Sequence, residues 1–150
     1  MHLQTKYLGE VEIDKSKAIQ FPAGLPGFIE ETEFVLLDLP ETRIFQVLQS
    51  TNSVNTAFIV TNPYHIYRDY AFDLDSSLLE ALQIKNEEDV VVLTIVTLRN
   101  PFNKSTLNLK APVILNSTTK QGKQFIINAD DYPTKASIAP DNSSLKVKGE

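Results

Sequence analysis

The 150-residue chain has no cysteine and no tryptophan, only two histidines and a single methionine. The lack of cysteine excludes a disulfide framework, a thiolate zinc site and a cysteine nucleophile. The two histidines, His2 and His65, lie far apart in the sequence, and no serine stands in a Gly-x-Ser-x-Gly turn. A serine hydrolase triad and a histidine metal site are therefore disfavoured, and we expect neither enzymatic activity nor a metal or cofactor.

Long apolar runs and a surplus of positive charge are also missing. The longest apolar stretch, residues 90–98, is interrupted by Thr94 and Thr97 and is too short to cross a bilayer. The N-terminus lacks the basic segment followed by an apolar segment that marks a signal peptide. We therefore expect no signal peptide and a cytoplasmic location. The net charge of −5 disfavours direct binding to nucleic acid and suits a basic protein partner.

Most of the chain shows the patterns of short β-strands. Alternating or apolar runs bounded by Gly, Pro and Asn predict strands over residues 5–8, 11–13, 19–21, 34–39, 44–48, 57–60, 70–74, 90–98, 107–109, 113–115 and 125–127. The run at 90–98 is apolar on nearly every side, which is typical of a central strand covered on both faces. We predict a mainly β, single-domain, barrel-like fold with about nine or ten short strands.

One or two short helices interrupt this pattern. Leu78, Leu79 and Leu82 share one helical face, and Ser77 followed by Glu80 has the spacing of a capping box, which predicts a helix over residues 76–82. Residues 86–89 predict a single helical turn. We expect the folded domain to cover residues 1–136 and residues 137–150 to form a polar, flexible tail.

Acidic residues and glycines offer little chemistry. The acidic groups at Asp73/Asp75, 87–89 and 130–131 suit turns and helix starts. A carboxylate hydrolase stays open as an alternative, and it requires two partly buried acids that face one cleft. No glycine-rich phosphate loop is present, and Gly122 is predicted to lie in a hairpin turn.

Aromatic residues cluster at Tyr64, Tyr67, Tyr70 and Phe72, next to His65 and Arg68. Three interpretations are open: a cap on one end of the core, a protein-docking surface rich in tyrosine and arginine, or a platform that stacks single-stranded RNA.

A combination of motifs resembles a known family. Residues 21–28 read Phe-Pro-Ala-Gly-Leu-Pro-Gly-Phe, residues 57–63 read Ala-Phe-Ile-Val-Thr-Asn-Pro, and residues 106–116 read Thr-Leu-Asn-Leu-Lys-Ala-Pro-Val-Ile-Leu-Asn. Their order and spacing resemble the FliW family of flagellar assembly factors along residues 3–133. The resemblance implies a protein that binds the translational repressor CsrA and is sequestered by unsecreted flagellin, so that CsrA represses flagellin mRNA only when flagellin accumulates. It also implies a monomer that places two copies on a CsrA dimer.

The candidate site residues are drawn from loops. Gly24, Pro26 and Gly27 are expected to fix a turn, with Phe28 filling the core, and the turn is expected to present Leu25 to a partner. The further candidate contacts are Asn55, Tyr64, Tyr67, Pro101 and Phe102. The remaining alternative function is a small β-barrel that binds a nucleotide or sugar, and it predicts a closed apolar pocket with a few polar groups.

Overall fold

The computed structural model describes residues 1–25, 27–128 and 132–140, which contain eleven β-strands, one α-helix and four 3-10 turns. The strands are β1 (His2–Gln4), β2 (Glu10–Glu12), β3 (Ile19–Gln20), β4 (Glu33–Asp38), β5 (Phe45–Ser50), β6 (Ala57–Thr61), β7 (Val90–Thr97), β8 (Thr106–Leu107), β9 (Val113–Asn116), β10 (Gln121–Gln124) and β11 (Ala136–Ser137). Helix α1 covers Ser76–Ala81, and the 3-10 turns cover Lys15–Lys17, Pro63–His65, Glu87–Asp89 and Phe102–Lys104.

Seven strands close into a barrel in the order β3-β4-β5-β6-β7-β9-β10. The pairing of Gln121 with Gln20 joins β10 to β3 in parallel and closes the ring, whereas the other neighbours are antiparallel. Strands β8 and β11 extend the sheet from the second half of β7, and β1 and β2 form a separate hairpin. The prediction of a mainly β, barrel-like fold is confirmed.

Alternation along the strands separates an inner core from an outer one. The register that sets Leu36 opposite Leu48 and Leu48 opposite Phe58 places these side chains on one side of the wall. The inner core consists of Ile19, Phe21, Leu25, Phe34, Leu48, Val60, Leu93, Val113 and Leu115. The rings of Phe21 and Phe34 meet edge to face, with centroids 5.3 Å apart, and they fill one end of the barrel.

The outer faces of the strands are covered by the connecting segments. Tyr70 and the residues around Leu107 and Ile138 pack on Val47 and Ile59 of β5 and β6. The first hairpin packs Leu3 and Ile13 on Val35, and α1 packs Leu78 and Leu82 on Ile114. The barrel wall is thus buried on both faces over much of its circumference.

Helix α1 begins one residue before the expected N-cap, so the predicted capping box at Ser77 is wrong. Asp75 is the N-cap, and its carboxylate accepts a hydrogen bond from the backbone N–H of Leu78 at 2.8 Å. A carboxylate at this position also interacts favourably with the helix dipole. The predicted turn at residues 86–89 is confirmed as a 3-10 turn over Glu87–Asp89.

Three predicted strands are absent among the described residues: residues 5–8 form the turn between β1 and β2, and two later segments also lack a strand. Residues 70–74 and 125–127 have no strand pairing, and β10 ends at Gln124. The backbone N–H groups of Phe125 and Ile127 donate only isolated bonds, to the carbonyls of Pro112 and Lys110. Alternation in these segments reflects packing on the outside of the barrel, where Tyr70, Phe125 and Ile127 contribute to the outer core.

Turn positions also differ from the predictions. The first strand lies at His2–Gln4, earlier than expected, and the turn that follows uses Gly9 with a φ of +68°. Gly122 lies within β10 and not in a turn, and it packs against Phe21 and Leu115.

Strand β7 is central, but it is buried on both faces only in part. Residues 90–92 are half-buried, whereas Leu93, Thr94 and Val96 are buried. The strand pairs with β9 over its first half, with β6 at Thr94 and Ile95, and with β8 at its end. Three partners therefore share one strand.

The expected domain boundary after residue 136 falls inside β11. Ser137 pairs with Thr106, and Ile138 is buried and donates its N–H to the carbonyl of Ser105 at 2.9 Å. The compact part of the chain therefore continues beyond residue 136. Residues 141–150 of the predicted tail lie outside the described residues.

Candidate protein-binding surfaces

The turn between β3 and β4 depends on two glycines. Gly24 has a φ of +66°, and a Cβ added there would lie 2.5 Å from the Cα of Ile29. Gly27 has a φ of +83°, a backbone conformation that glycine adopts readily and that other residues disfavour. The backbone N–H of Phe28 donates to the carbonyl of Leu25 at 2.7 Å. The structure accounts for both glycines by the turn they form, and Pro26 lies outside the described residues.

Leu25 and Phe28 in this turn face in the directions opposite to those predicted. Leu25 is 1% exposed and belongs to the inner core, so the expectation that the turn presents it to a partner is wrong. Phe28 is 42% exposed, so the expectation that it fills the core is wrong as well. Its ring rests edge-on against Phe58 at 5.3 Å. Leu25 closes the end of the barrel, and the turn therefore leaves Phe28 and Ile29 outside.

The neighbouring loop, residues 51–56, is tied to this turn through Glu31. One carboxylate oxygen of Glu31 accepts from the hydroxyl of Ser50, and the other accepts from Ser53 at 2.6 Å. These two hydroxyl donors lower the pKa of Glu31. The loop also carries Val54, 46% exposed, and the exposed candidate Asn55. We call Phe28, Ile29, Glu30, Glu31 and Val54 the acidic end surface.

A second exposed apolar region surrounds Phe102. Phe102 is 51% exposed, and its ring meets that of Phe45 edge-on at 5.7 Å. The Asn100–Pro101 peptide bond before it is cis. Ile44 and Leu98 are also about half exposed, and the exposed cations of the two loops are Arg43, Arg99 and Lys104. We call the surface formed by Arg43, Ile44, Leu98, Arg99, Pro101, Phe102 and Lys104 the basic loop surface.

The aromatic cluster at residues 64–72 serves mainly as a cap over the outer core. Tyr70 is 4% exposed and donates its hydroxyl to the carbonyl of Leu109 at 2.6 Å, and burial raises its pKa. Tyr67 is half-buried and donates to the carbonyl of Ser137 at 2.7 Å. Tyr64 is 38% exposed, and its ring is tilted by 50° against that of Tyr70, with the centroids 5.7 Å apart. Tyr64 therefore offers the most accessible ring of the candidates in this cluster.

Two of the carboxylates considered for a hydrolase, Asp73 and Asp75, line one groove of about 350 Å³, but neither is partly buried as that chemistry requires. Asp73 and Asp75 are exposed, and Asp75 is engaged as the cap of α1. Asp130 and Asp131 lie outside the described residues. Over the described ranges, no three His, Asp or Glu side chains are grouped to hold a metal ion. None of the helices in the same ranges has the length and apolar character needed to span a membrane.

A groove of about 540 Å³ lies where β4 faces the turn between β9 and β10. Ile19, Leu36, Val91 and Leu115 contribute apolar lining, and the charged residues around it include Glu12, Asp14, Lys17 and Lys120. The alternative function as a small-ligand module predicts a closed apolar pocket, and this groove is one place where such a ligand could bind. A second groove of about 800 Å³ lies beside α1 and is lined in part by Phe72, Leu79 and Val92.

The fold and these loops define a small closed β-barrel protein with apolar side chains exposed on two loop regions. The family model described as FliW protein matches residues 2–138. The flagellar assembly factor FliW of Oceanobacillus iheyensis is 51% identical over 138 residues, which cover 92% of this chain and 94% of that protein. The corresponding protein of Bacillus subtilis is 46% identical over 138 residues, covering 92% and 96%.

A solved structure agrees with these matches. A crystal structure of the flagellar assembly factor FliW superposes with a TM-score of 0.89 at 39% identity, covering 93% of this chain and 98% of that one. The chain belongs to the FliW family of flagellar assembly factors.

Sequence reasoning missed the exposed residues Phe28, Ile29 and Val54. Glu30 and Glu31, which follow Phe28 and Ile29 directly, could have indicated an exposed segment, because glutamate side chains are mostly exposed.

Proposed function

We propose that this chain controls flagellin synthesis by binding two proteins in turn, the translational repressor CsrA and flagellin. Free protein binds CsrA and relieves its repression of flagellin mRNA. When unsecreted flagellin accumulates, it occupies the protein and CsrA is released. The observation that carries this proposal is membership of the FliW family over residues 2–138, because the proposed exchange of partners is the role that the resemblance to this family implies.

The basic loop surface is proposed as one contact region for these partners. Phe102 is an exposed aromatic ring held in place by Phe45, and aromatic and arginine side chains are the commonest energetic anchors of interfaces. Pro101 and Arg99 lie in the same loop. Asn55, Tyr64 and Tyr67 are further proposed contacts. Leu25 is not proposed as a contact, because its side chain is buried.

The cellular location and the stoichiometry are proposed on the same basis, the resemblance to the FliW family. The protein works in the cytoplasm as a monomer formed by the barrel domain, and two copies bind one CsrA dimer. It has no enzymatic activity and does not touch nucleic acid directly. Its net charge of −5 adds negative potential beside the RNA-binding surface of CsrA, which disfavours RNA there.

The test is a calorimetric titration of the protein with CsrA, repeated after saturation with flagellin. Tight binding that flagellin abolishes supports the exchange of partners. Binding that survives flagellin contradicts mutual exclusion and requires separate surfaces. Absence of binding to both proteins overturns the proposal and favours the small-ligand alternative. The stoichiometry from the titration also decides whether each CsrA subunit takes one copy.

Phe102→Asp tests the contact region. The substitution removes an exposed ring and is expected to weaken binding of at least one partner by roughly tenfold or more. Ile126→Asp is a matched control, because Ile126 is 56% exposed and lies outside both surfaces. Unchanged affinity of Phe102→Asp for CsrA and flagellin would remove Phe102 from the site.

A further inference from the structure

The acidic end surface presents apolar side chains that the fold does not need for its own core. Ile29 is 72% exposed, and Phe28 and Val54 are each more than 40% exposed. Leu25 of the same turn is buried in the inner core, so the turn already contributes an apolar side chain to the core without Phe28 or Ile29. Clustered exposed apolar residues on a soluble protein are characteristic of interaction sites.

The backbone that carries these residues is held by several hydrogen bonds. Glu31 links the turn to Ser50 and Ser53. The buried side chain of Gln49 donates to the carbonyl of Val54 at 3.1 Å, and it also accepts from the backbone N–H of Lys6. A surface fixed in this way loses little conformational entropy when a partner binds.

The turn and the loop of this surface carry only negative charges. Residues 21–34 and 49–60, which form the turn, the loop and the strands beside them, contain Glu30, Glu31 and Glu33 and neither lysine nor arginine. The cations next to them belong to the first hairpin and the turn after it: Lys15 lies close enough to Glu33 to lower its pKa, and the backbone of Lys6 contacts Gln49. Hydroxyl and amide donors lower the pKa of Glu31 and of Glu33, so both carboxylates stay ionised at neutral pH. A partner that buries the apolar residues therefore has to place positive charges next to these carboxylates.

The basic loop surface has the opposite character. Residues 39–45 and 98–105 carry Arg43, Arg99 and Lys104 against the single acid Glu41. Phe45, which contacts Phe102, begins β5, and Ser50, which binds Glu31, ends it. Phe45 and Ser50 are five residue steps apart along the strand, which corresponds to about 17 Å at roughly 3.3 Å per residue. The chain thus offers two spatially separate surfaces of opposite charge.

We infer that the acidic end surface is a docking site for a cationic, amphipathic segment of a partner protein, with Phe28, Ile29 and Val54 contacting its apolar face and Glu30 and Glu31 its basic residues. The inference goes beyond the proposed function, because it concerns a second surface and does not depend on which protein supplies the segment. The match between carboxylates and a cationic segment provides steering and orientation, and the apolar residues provide most of the affinity.

The test uses a synthetic amphipathic peptide of leucine and lysine and its counterpart with glutamate in place of lysine, each titrated into isotopically labelled protein. With the lysine peptide, saturable amide shifts are expected at residues 27–31 and 51–56. The glutamate peptide should bind at least about tenfold more weakly, and salt should weaken the lysine complex.

Two variants and two matched controls locate the site. Ile29→Ser and Glu30→Lys are expected to weaken the lysine peptide by roughly tenfold and severalfold, respectively. Ile126→Ser and Glu80→Lys replace another exposed isoleucine, 56% exposed, and another exposed glutamate, both outside this surface, and they should leave the affinity unchanged. All four residues are exposed, so a thermal unfolding curve for each variant is expected to match that of the parent protein.

Three results would overturn the inference. These are shifts spread evenly over the surface, equal affinity for the two peptides, or equal losses in the controls. Concentration-dependent self-association that Ile29→Ser abolishes would instead make a second copy of this chain the occupant. The same variants titrated with CsrA and with flagellin give an independent reading, because loss of the peptide site with both proteins still bound leaves the proposed function intact.

Discussion

The buried side chain of Gln49 accepts a hydrogen bond from the backbone N–H of Lys6 at 3.0 Å, although 43 residues separate the two in sequence. The amide group of Gln49 also donates towards the carbonyls of Ser50, Ser53, Val54 and Thr56. One polar side chain thereby joins the first hairpin, β5 and the loop of the acidic end surface.

Replacing the side chain of Gln49 should destabilise the protein because the hydrogen bonds that it makes inside the fold would be lost. Gln49→Leu leaves the Lys6 N–H and several loop carbonyls without their partner, and we expect a loss of about 1–3 kcal/mol in the free energy of unfolding. Urea denaturation measures it. Gln46→Leu is the control, since Gln46 is half-buried and donates to the exposed Asp38. A loss no greater than that of Gln46→Leu would contradict the proposed role of Gln49.

Gly122 is predicted to resist substitution even by alanine. A Cβ there would lie 2.7 Å from both the Phe21 ring and a Leu115 methyl group, and overpacking of this kind costs about 1–3 kcal/mol. The double variant Gly122→Ala/Phe21→Leu should recover part of the loss relative to the sum of the single variants. Simple additivity in thermal or chemical unfolding would show that the contact with Phe21 is not the cause.

Glu31 should contribute stability at neutral pH that disappears in acid. The hydroxyls of Ser50 and Ser53 lower its folded-state pKa below the ordinary value of 4.5, so the unfolded chain takes up the proton first as pH falls. The contribution is complete above the ordinary pKa and is lost as pH falls through the lowered one. The destabilisation caused by Glu31→Gln should therefore be larger at pH 7 than at pH 3, as followed by urea denaturation.

The exposed neighbour Glu30 provides the comparison for that measurement. Glu30→Gln removes the same charge from a side chain that lies at the surface. Its effect on unfolding at pH 7 should be smaller than that of Glu31→Gln. A Glu31→Gln penalty that is equal at pH 7 and pH 3 would contradict the lowered pKa of Glu31.

Tyr70 is predicted to ionise only when the fold opens. Burial is the main cause of its raised pKa, and its hydroxyl donates to the carbonyl of Leu109. The neutral phenol stabilises the fold below the ordinary pKa of 10.0, and this contribution is lost as pH rises through the raised one. In an alkaline titration followed by tyrosinate absorbance, one component should coincide with unfolding and be missing from Tyr70→Phe. Its persistence in Tyr70→Phe would assign it to another tyrosine.

The strands of the barrel wall could be predicted where the apolar pattern was local. Strands β4, β5, β6 and β9 follow runs of β-branched and aromatic residues and agree with the expected segments to within a few residues. The parallel contact of β3 with β10 and the three partners of β7 could not be predicted, because they depend on which edges meet in three dimensions. The same limit explains residues 70–74, whose alternating pattern suits a strand and equally suits a cap.

The candidate surfaces were predicted less completely than the fold. The exposure expected for Phe102 is confirmed at 51%, because a loop that begins with Pro101 cannot continue the strand before it. The orientations of Leu25 and Phe28 were reversed, since a turn that needs two positive φ angles does not indicate from sequence which apolar residue faces inward. The binding roles of Asn55, Tyr64, Tyr67, Pro101 and Phe102 stay predictions.

The parallel pairing of Gln20 with Gln121 has a consequence for how the protein is made. A ribosome delivers the chain from its N-terminus, so β3 emerges long before the strand that closes the ring. Until β10 follows, the inner faces of β4, β5 and β6 have no complete enclosure, and Phe34, Leu48 and Val60 stay accessible to water or to other nascent chains. Ring closure therefore belongs to the last stage of synthesis, and slow translation would prolong the period in which this barrel is prone to aggregate.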